Sequence, residues 1–284
     1  MLERRAEPDR VISFRVTGID DAGAVQVNRG WRVQASNAIG HYKGGLRFHP
    51  EVTQDDLRFL AFEQCFKNAL TGLPLGGGKG GADFDPTGRS DGEIMRFCQA
   101  FMRQLAPYIG PDRDVPAGDI NVGAREIGYM FGAWSAASGV YAGAMTGKGL
   151  SYGGSEVRTE ATGYGLIYFV QAMLARAGDA LTGQRVAVSG KGNVAIHAAR
   201  KAQAEGAKVI TLSDTSGTLY AADGLSVPAM DWVAEQKAAG GHLSSPPKAL
   251  DATFLAGEQP WTQEADIALP CATQNEIDEK AAQA

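Results

Sequence analysis

The sequence is poor in the residues that hold small secreted or metal-dependent proteins together. Its 284 residues include only three cysteines (Cys65, Cys98, Cys271) and four histidines. An odd, widely spaced set of cysteines argues against a disulfide framework and for reduced thiols in a cytoplasmic setting. No CxxC or HExxH pair occurs, so no metal site is expected. No apolar run approaches the ~20 residues of a membrane span, and "MLERRAEPDR" has no signal-peptide core. Charge of one sign is lacking too. The 27 basic and 32 acidic residues give a net charge of −5 and are mixed along the whole length. With no basic face, lipid-binding helix or acidic tail, neither nucleic acid nor a membrane is expected as a partner.

The abundant residue is glycine. There are 37, clustered at 44–45, 76–81, 147–154, 163–165 and 190–192. The segment Gly72–Phe84, "GLPLGGGKGGADF", sets Lys79 among five of them. Glycine loses the most backbone freedom on folding, so such a run implies positive φ or close approach of the backbone to something else. A phosphate-binding Walker loop fails on spacing, because Leu73 and Gly80 stand where it needs Gly and Ser or Thr.

The first half opens with strand-like segments at Val11–Thr17, Val25–Ala35 and Gly45–Phe48, the first two joined by an Asp-Asp-Ala-Gly turn. A helix is expected over Gln54–Thr71, with Thr53 and Asp56 offering its N-cap. Phe59, Phe62, Phe66 and Leu70 share one face of it, read as the core side. Gln64 and Lys67 then project along the border of that face. Ser90-x-x-Glu93 is a capping box, and the helix behind it places Ile94, Phe97, Cys98, Phe101 and Leu105 in the core. A third helix is expected over Ala124–Ser138. The glycine-rich "TGKGLSYGGS" marks a crossing between two domains, 1–155 and 156–284.

In the second half "EATGYGLIYFVQAMLARAG" reads as an apolar, buried helix. The order then runs strand "RVAVSG", helix "NVAIHAARKAQAEG", strand "KVITLSD" and, later, strand "DIALPCAT". That alternation implies an α/β fold with a Rossmann-like, doubly wound parallel sheet. Gly190-x-Gly192-x-x-Ala195 closes the first of these strands and opens the helix, with Asp214 ending the next strand. Strand, glycine turn, helix and distal acid in that order form a dinucleotide site. Gly190 permits the tight turn and Gly192 lets a pyrophosphate approach. The amides of Asn193 and Val194 and the helix N-terminus hold its charge. Val194, Ala198 and Ala202 let that helix lie close on the sheet. Asp214 favours the free ribose hydroxyls of NAD, whereas Lys191, Ser213, Thr215 and Ser216 suit the 2′-phosphate of NADP. The residues alone leave the two cofactors open.

Three lysines of the first half stand in unusual settings: Lys43 in "YKGG", Lys67 in "EQCFKN" and Lys79 in "GGGKGG". A single lysine is ordinarily a solvated charge. Here two precede Gly-Gly and the third borders an apolar face, so with Gln64 they form a cluster suited to an anion. "DVPAGDINVG" places Asp119 in a Pro/Gly-framed loop, a setting typical of functional carboxylates. Two ammonium groups ~5 Å apart at an effective dielectric of ~20 repel by ~3 kcal/mol, about two pKa units. Desolvation pushes the same way, so a Lys79 pKa of ~8 is expected.

Taken together, "NRGWRVQASNAIGHYKGGLRFHP", "GLPLGGGKGGADFDP", "DVPAGDINVG", "TGKGLSYGGS", "EATGYG" and "SGKGNVA" resemble the hexameric, NADP-type glutamate dehydrogenases along almost the whole chain. The resemblance implies reversible oxidative deamination of L-glutamate to 2-oxoglutarate and ammonium, with NADP preferred and NAD as the alternative. It makes Lys79 the catalytic lysine and Asp119 its partner carboxylate. Lys43 would bind the side-chain carboxylate, Gln64 and Lys67 the α-carboxylate, and Gly118 would touch substrate. Thr162 and Asn193 would contact the cofactor. A cytoplasmic homohexamer serving nitrogen assimilation is the implied setting. The family also has an N-terminal assembly helix and C-terminal segments, including a serine contact to the side-chain carboxylate, beyond the stretch matched here. On that reading this chain by itself is expected to be inactive and poorly soluble. Lys191 departs from the small residue expected in the glycine turn. Two other readings are a relative acting on branched-chain or aromatic amino acids, against which Lys43 argues, and a non-catalytic subunit. The second is opposed by the joint presence of Lys79, Asp119 and the glycine turn.

Overall fold

The computed structural model describes residues 6–273 and 275–283, in two compact units, Met1–Glu156 and Val157–Ala284. The first unit is built on a five-stranded sheet. Strands β1 (Arg10–Ile19) and β2 (Val25–Ser36) form an antiparallel hairpin. Its turn is tied by the Asp20 carboxylate, which accepts from the Ala24 amide at 2.8 Å. Then come β3 (Tyr42–Phe48), helix α1 (Gln54–Ala69), β4 (Gly77–Ala82), α2 (Asp91–Leu105), β5 (Asp114–Gly118) and α3 (Ala124–Ser138). The strand order is β1-β2-β4-β3-β5, with β3 parallel to both β4 and β5. The glycine run is thus the central strand of a sheet. Pro116 falls in β5, at the sheet edge, where a missing N–H costs no ladder bond.

The core of this unit is aromatic. Phe48, Phe84, Phe97 and Phe101 cluster between the sheet and α2, with Phe84 stacked on Phe97 at 3.8 Å. The Ser90–Glu93 capping box starts α2, and Ile94, Phe97, Cys98, Phe101 and Leu105 are all buried, as their spacing required. Burial pushes the Cys98 thiol well above its ordinary pKa.

Helix α1 corrects the sequence reading. Phe59 is 62% exposed, Phe66 48% and Leu70 89%. The face turned inward holds Leu57, Ala61 and Asn68 instead. The cause is the glycine strand beneath it. A Cβ on Gly77 would lie 2.2 Å from the Cys65 sulfur, so helix and strand sit too close for phenylalanines between them. Small and polar residues take that face and the aromatic stripe turns outward.

The second unit begins with helix α4 (Ala161–Ala177) and continues with β6 (Arg185–Val188), α5 (Asn193–Ala204), β7 (Lys208–Asp214), β8 (Gly217–Tyr220), α6 (Val227–Ala238), β9 (Thr253–Ala256) and β10 (Ile267–Leu269). Its sheet runs β10-β6-β7-β8-β9. The expected parallel core is present in β10, β6 and β7, but β8 and β9 add antiparallel strands. A tight turn at Thr215–Ser216 folds β8 back on β7, which makes this sheet mixed. Ala198 and Ala202 are buried, as expected of a helix lying close on the sheet, while Val194 is half-buried.

Helix α4 is the second correction. Of its residues only Gly163 and Ile167 are buried, and Tyr168, Phe169 and Met173 are exposed. It meets α5 along a narrow seam, where a Cβ on Gly163 would come within 2.5 Å of the Ala198 nitrogen. An apolar composition drives burial only where a partner surface exists, and here one narrow stripe finds one.

Candidate active site

The first unit gathers its unusual charges around the centre of the sheet. Lys79 lies on β4 with its side chain 8% exposed, and its Nζ stands 3.1 Å from Asp119 Oδ1. Asp119 directly follows β5, in a turn closed by the Val122 amide donating to the Asp119 carbonyl at 3.0 Å. Its other carboxylate oxygen accepts from Arg47 Nε at 2.7 Å. Glycine at position 45 makes room for this arrangement. A Cβ there would be 2.8 Å from Asp119 Cβ and 3.4 Å from Lys79 Nζ. Asp119 is therefore held between two cations.

The charges follow from that packing. Burial pushes the Lys79 pKa down, Asp119 opposes it, and Arg47 and Lys67 add to the lowering. The sequence reading credited repulsion between lysines with most of the effect. Burial is the larger cause, because a carboxylate at contact distance offsets the neighbouring cations. Burial by itself would raise the Asp119 pKa, but Lys79 and Arg47 overrule it and hold the carboxyl below its ordinary range.

The other expected site residues of this unit lie on β3, α1 and the end of β5. Lys43, on β3, donates to the Thr146 hydroxyl at 2.7 Å. Gln64 donates to Asn68 Oδ1 at 2.8 Å, and Asn68 in turn donates to the carbonyls of Lys43 and Gly76, tying α1 to β3 and the start of β4. Lys67 is exposed on the same helix. Gly118 ends β5, where a Cβ would collide with the Val122 carbonyl at 2.3 Å. Beneath them Arg32 and Asp114 form an ion pair with no exposure at either side chain, Arg32 Nε donating to Asp114 Oδ2 at 2.9 Å. Arg32 also donates to the carbonyls of Gly44 and Gly45, which anchors β3.

Sequence reasoning missed Arg47, Thr146 and Arg32. Arg47 had a signal, since it lies four residues after Lys43 and alternation along a strand puts both on one face. Thr146 had none, because it comes from a loop distant in sequence.

In the second unit the glycine turn has the geometry its motif demands. Gly190 has φ +85°, left-handed backbone that favours glycine. Gly192 is the N-cap of α5 and supplies no side-chain cap, and a Cβ built on it meets nothing within 4 Å. The Gly192 Cβ position, at the opening of a twelve-residue helix, thus faces open space, which suits the pyrophosphate of a dinucleotide. Asn193 opens the helix, exposed, and donates to the Thr159 carbonyl; Thr162 is exposed near the start of α4. Val194 follows on α5.

Asp214 ends β7 as expected but is fully engaged inside the protein. Its Oδ2 accepts from Lys191 Nζ at 2.8 Å and from the Leu243 amide at 3.0 Å. Its Oδ1 accepts from the Ser216 amide at 2.8 Å and from the Ser216 hydroxyl. Lys191 donates as well to the Gly241 carbonyl. This acid fastens the turn after β7 and the 241–243 loop, and it leaves a ribose diol no free oxygen. The Ser213 hydroxyl is also engaged, accepting from the Gly190 amide at 2.8 Å.

Among the described residues no cluster of His, Cys, Asp and Glu is placed to hold a metal ion, and no helix is long and apolar enough to cross a membrane.

A buried lysine–carboxylate pair in one α/β unit, followed by a dinucleotide-type glycine turn in the next, places the chain among two-unit α/β proteins of the dinucleotide-binding class. Residues 8–136 match the dimerisation domain of the Glu/Leu/Phe/Val dehydrogenases, and residues 153–284 match the glutamate/leucine/phenylalanine/valine dehydrogenase domain. The chain belongs to the Glu/Leu/Phe/Val dehydrogenase family. It is 56% identical to an NADP-specific glutamate dehydrogenase of Psychrobacter sp. (strain TAD1), over 99% of this chain and 62% of that protein. It is also 56% identical to an NAD-specific glutamate dehydrogenase of Bacteroides fragilis (strain YCH46), over 98% of this chain and 63% of that protein. A solved glutamate dehydrogenase structure superposes with a TM-score of 0.96 at 51% identity, covering 99% of this chain and 64% of the other. A Plasmodium falciparum glutamate dehydrogenase gives 0.94 at 46% identity, covering 99% and 61%. The chain spans somewhat less than two thirds of the length of these relatives.

Proposed function

We propose that this chain carries the substrate-binding and dinucleotide-binding parts of an NADP-dependent glutamate dehydrogenase, with residues 1–155 serving the first role and 156–284 the second. The observation that carries the reading is the buried Lys79 amine, 3.1 Å from Asp119 and acted on by the charges of Arg47 and Lys67. A dicarboxylate needs a cation at each end and a titratable group between them. Lys43 would meet the side-chain carboxylate, and Lys67 with Gln64 the α-carboxylate. Gly118 would contact the substrate through its backbone.

In the reductive direction Lys79 would protonate the departing carbinolamine hydroxyl, a role that a depressed pKa serves by making the proton easy to release. Asp119 would carry protons to and from the amine. Bound NADP(H) supplies or accepts the hydride. Gly190, Gly192, Asn193 and Val194 would hold its pyrophosphate side, with Lys191 on the side of the 2′-phosphate and Thr162 nearby at the start of α4. Asp214 is spent on the fold, but so are Lys191, Ser213 and Ser216, so the preference for NADP rests on the NADP-specific relative rather than on these contacts. A cytoplasmic homohexamer working in ammonium assimilation is the setting that goes with this reading.

The test is oxidation of NADPH and of NADH by the whole protein, followed spectrophotometrically with 2-oxoglutarate and ammonium. Turnover with NADPH that requires both substrates is expected. Turnover with an apolar 2-oxo acid and none with 2-oxoglutarate would overturn the assignment.

A further inference from the structure

Arg47 has no part in the chemistry just described, yet it touches the reacting pair. Its Nε lies 2.7 Å from Asp119 Oδ2, and both side chains are largely buried. The opposite oxygen of the same carboxylate faces Lys79 at 3.1 Å. One anion therefore serves two cations, one at each oxygen, and Arg47 occupies one of the two. We propose that Arg47 is a positioning residue that fixes Asp119 as a one-ended carboxylate and thereby sets the pH at which Lys79 gives up its proton.

The argument rests on what each neighbour would do if Arg47 were neutral. Asp119 could then turn its full charge on Lys79 and hold the ammonium form. Arg47 prevents this twice over: it ties up one oxygen, and its own charge disfavours a proton on Lys79. The other groups acting on Lys79 do not duplicate that role. Lys67 on α1 repels from the helix side without touching Asp119. Lys43 on β3 is bound to Thr146. Arg32 and Asp114 neutralise each other within the sheet. A planar guanidinium is also the cation least able to lose its own charge at high pH, so its effect is constant over the working range. The sign agrees with the directions found for both partners, Asp119 held low and Lys79 lowered by Arg47 beyond its burial.

The proposal rests on the reading of Lys79 as the reacting amine, but its test does not require turnover. Lys79 of the full chain is labelled competitively with acetic anhydride from about pH 6 to about pH 11, and its modification is quantified by mass spectrometry to give the midpoint of its titration. Arg47→Gln is expected to move that midpoint up by about one pH unit, by Coulomb interaction at an effective dielectric of ~20. Asp119→Asn is expected to move it down. Arg47→Lys, which keeps the charge and loses the fixed fork, is expected to fall between wild type and Arg47→Gln. Folding is checked by circular dichroism. An unchanged or lowered midpoint in folded Arg47→Gln overturns the proposal. If Arg47→Gln does not fold, Arg47→Lys decides: an upward shift supports the proposal, and a midpoint equal to wild type overturns it. Absence of 2-oxoglutarate-dependent turnover in the whole protein would sink the glutamate reading while leaving the Lys79 midpoint free to answer for Arg47.

Discussion

In the first unit Lys79 meets Asp119 at 3.1 Å; in the second Lys191 meets Asp214 at 2.8 Å. Both lysines are set among glycines and both partners sit at or just after a strand end, so the two pairs look alike in sequence. Their surroundings make them opposites. Asp119 is shared by two cations, and Lys79 is buried deeply enough for its proton to be loosened. Asp214 is saturated by neighbouring donors, so the anion is the fixed partner. Burial would raise its pKa, but the Lys191 ammonium, Ser216 and the Leu243 amide hold it far below the usual carboxylate range. The first pair leaves a group to titrate and the second locks a loop. A lysine–aspartate contact has no function of its own; the rest of the shell decides which member is held and which is free.

The sharpest way to separate the pairs is to remove the lysine of the first and the acid of the second. Lys79→Met is expected to lower turnover of the whole protein by ~10²–10⁴-fold with affinity for NADPH within a few-fold of wild type, since an acid–base group is typically worth that much. A mutant keeping more than about a tenth of the wild-type kcat would place the chemistry elsewhere.

Next in size is Asp114→Asn, aimed at the ion pair beneath the first site. Arg32 and its partner are wholly buried, so removing the anion leaves a charge that water cannot reach. Urea unfolding of the first unit should show a loss of ~3–5 kcal/mol. A loss under ~1 kcal/mol would mean that Arg32 finds another acceptor.

Lys43→Leu is expected to cost ~10–150-fold in kcat/KM for glutamate, the equivalent of one charge-assisted contact, and to favour apolar substrates such as norvaline. An unchanged glutamate preference in the substrate comparison would make Lys43 a support for Thr146 alone.

The smallest effect is expected at the second pair. Asp214→Asn should lower stability at neutral pH by ~1.5–3 kcal/mol, through loss of hydrogen bonds to a charged acceptor. The folded pKa of Asp214 lies below its unfolded value near 3.8, so its contribution is full above about pH 4 and fades as pH falls further. The gap between wild type and mutant in pH-dependent melting should therefore narrow progressively as pH falls below about 4. A gap that stays constant into acid would show that the carboxylate charge is not what stabilises the loop.

Much of this was legible along the chain, for local reasons. The Ser90–Glu93 box, the periodic core of α2 and the order of β6, turn, α5 and β7 each depend on residues within one or two turns of each other. The glycine turn at 190–192 needed only its own spacing. The outward aromatic face of α1 was not legible, since it follows from how closely Gly77 admits Cys65, a distance between segments. The same holds for α4, whose apolar residues outnumber the partner surface available to them.

The sequence by itself determined which chemical groups this protein has and which elements carry them: a lysine in a glycine strand, an acid after a Pro/Gly strand, a glycine turn before a helix. Only the tertiary structure decided how tightly those groups hold their protons. Asp119 could be read as a candidate carboxylate from "PAGDIN", but its division between Lys79 and Arg47 depends on β3, β4 and β5 lying side by side. Asp214 could be read as a ribose ligand, until the Leu243 amide and Lys191 closed around it. Proton affinity depends on distances of a few ångströms and on the exclusion of water, and neither exists until segments far apart in sequence are packed together.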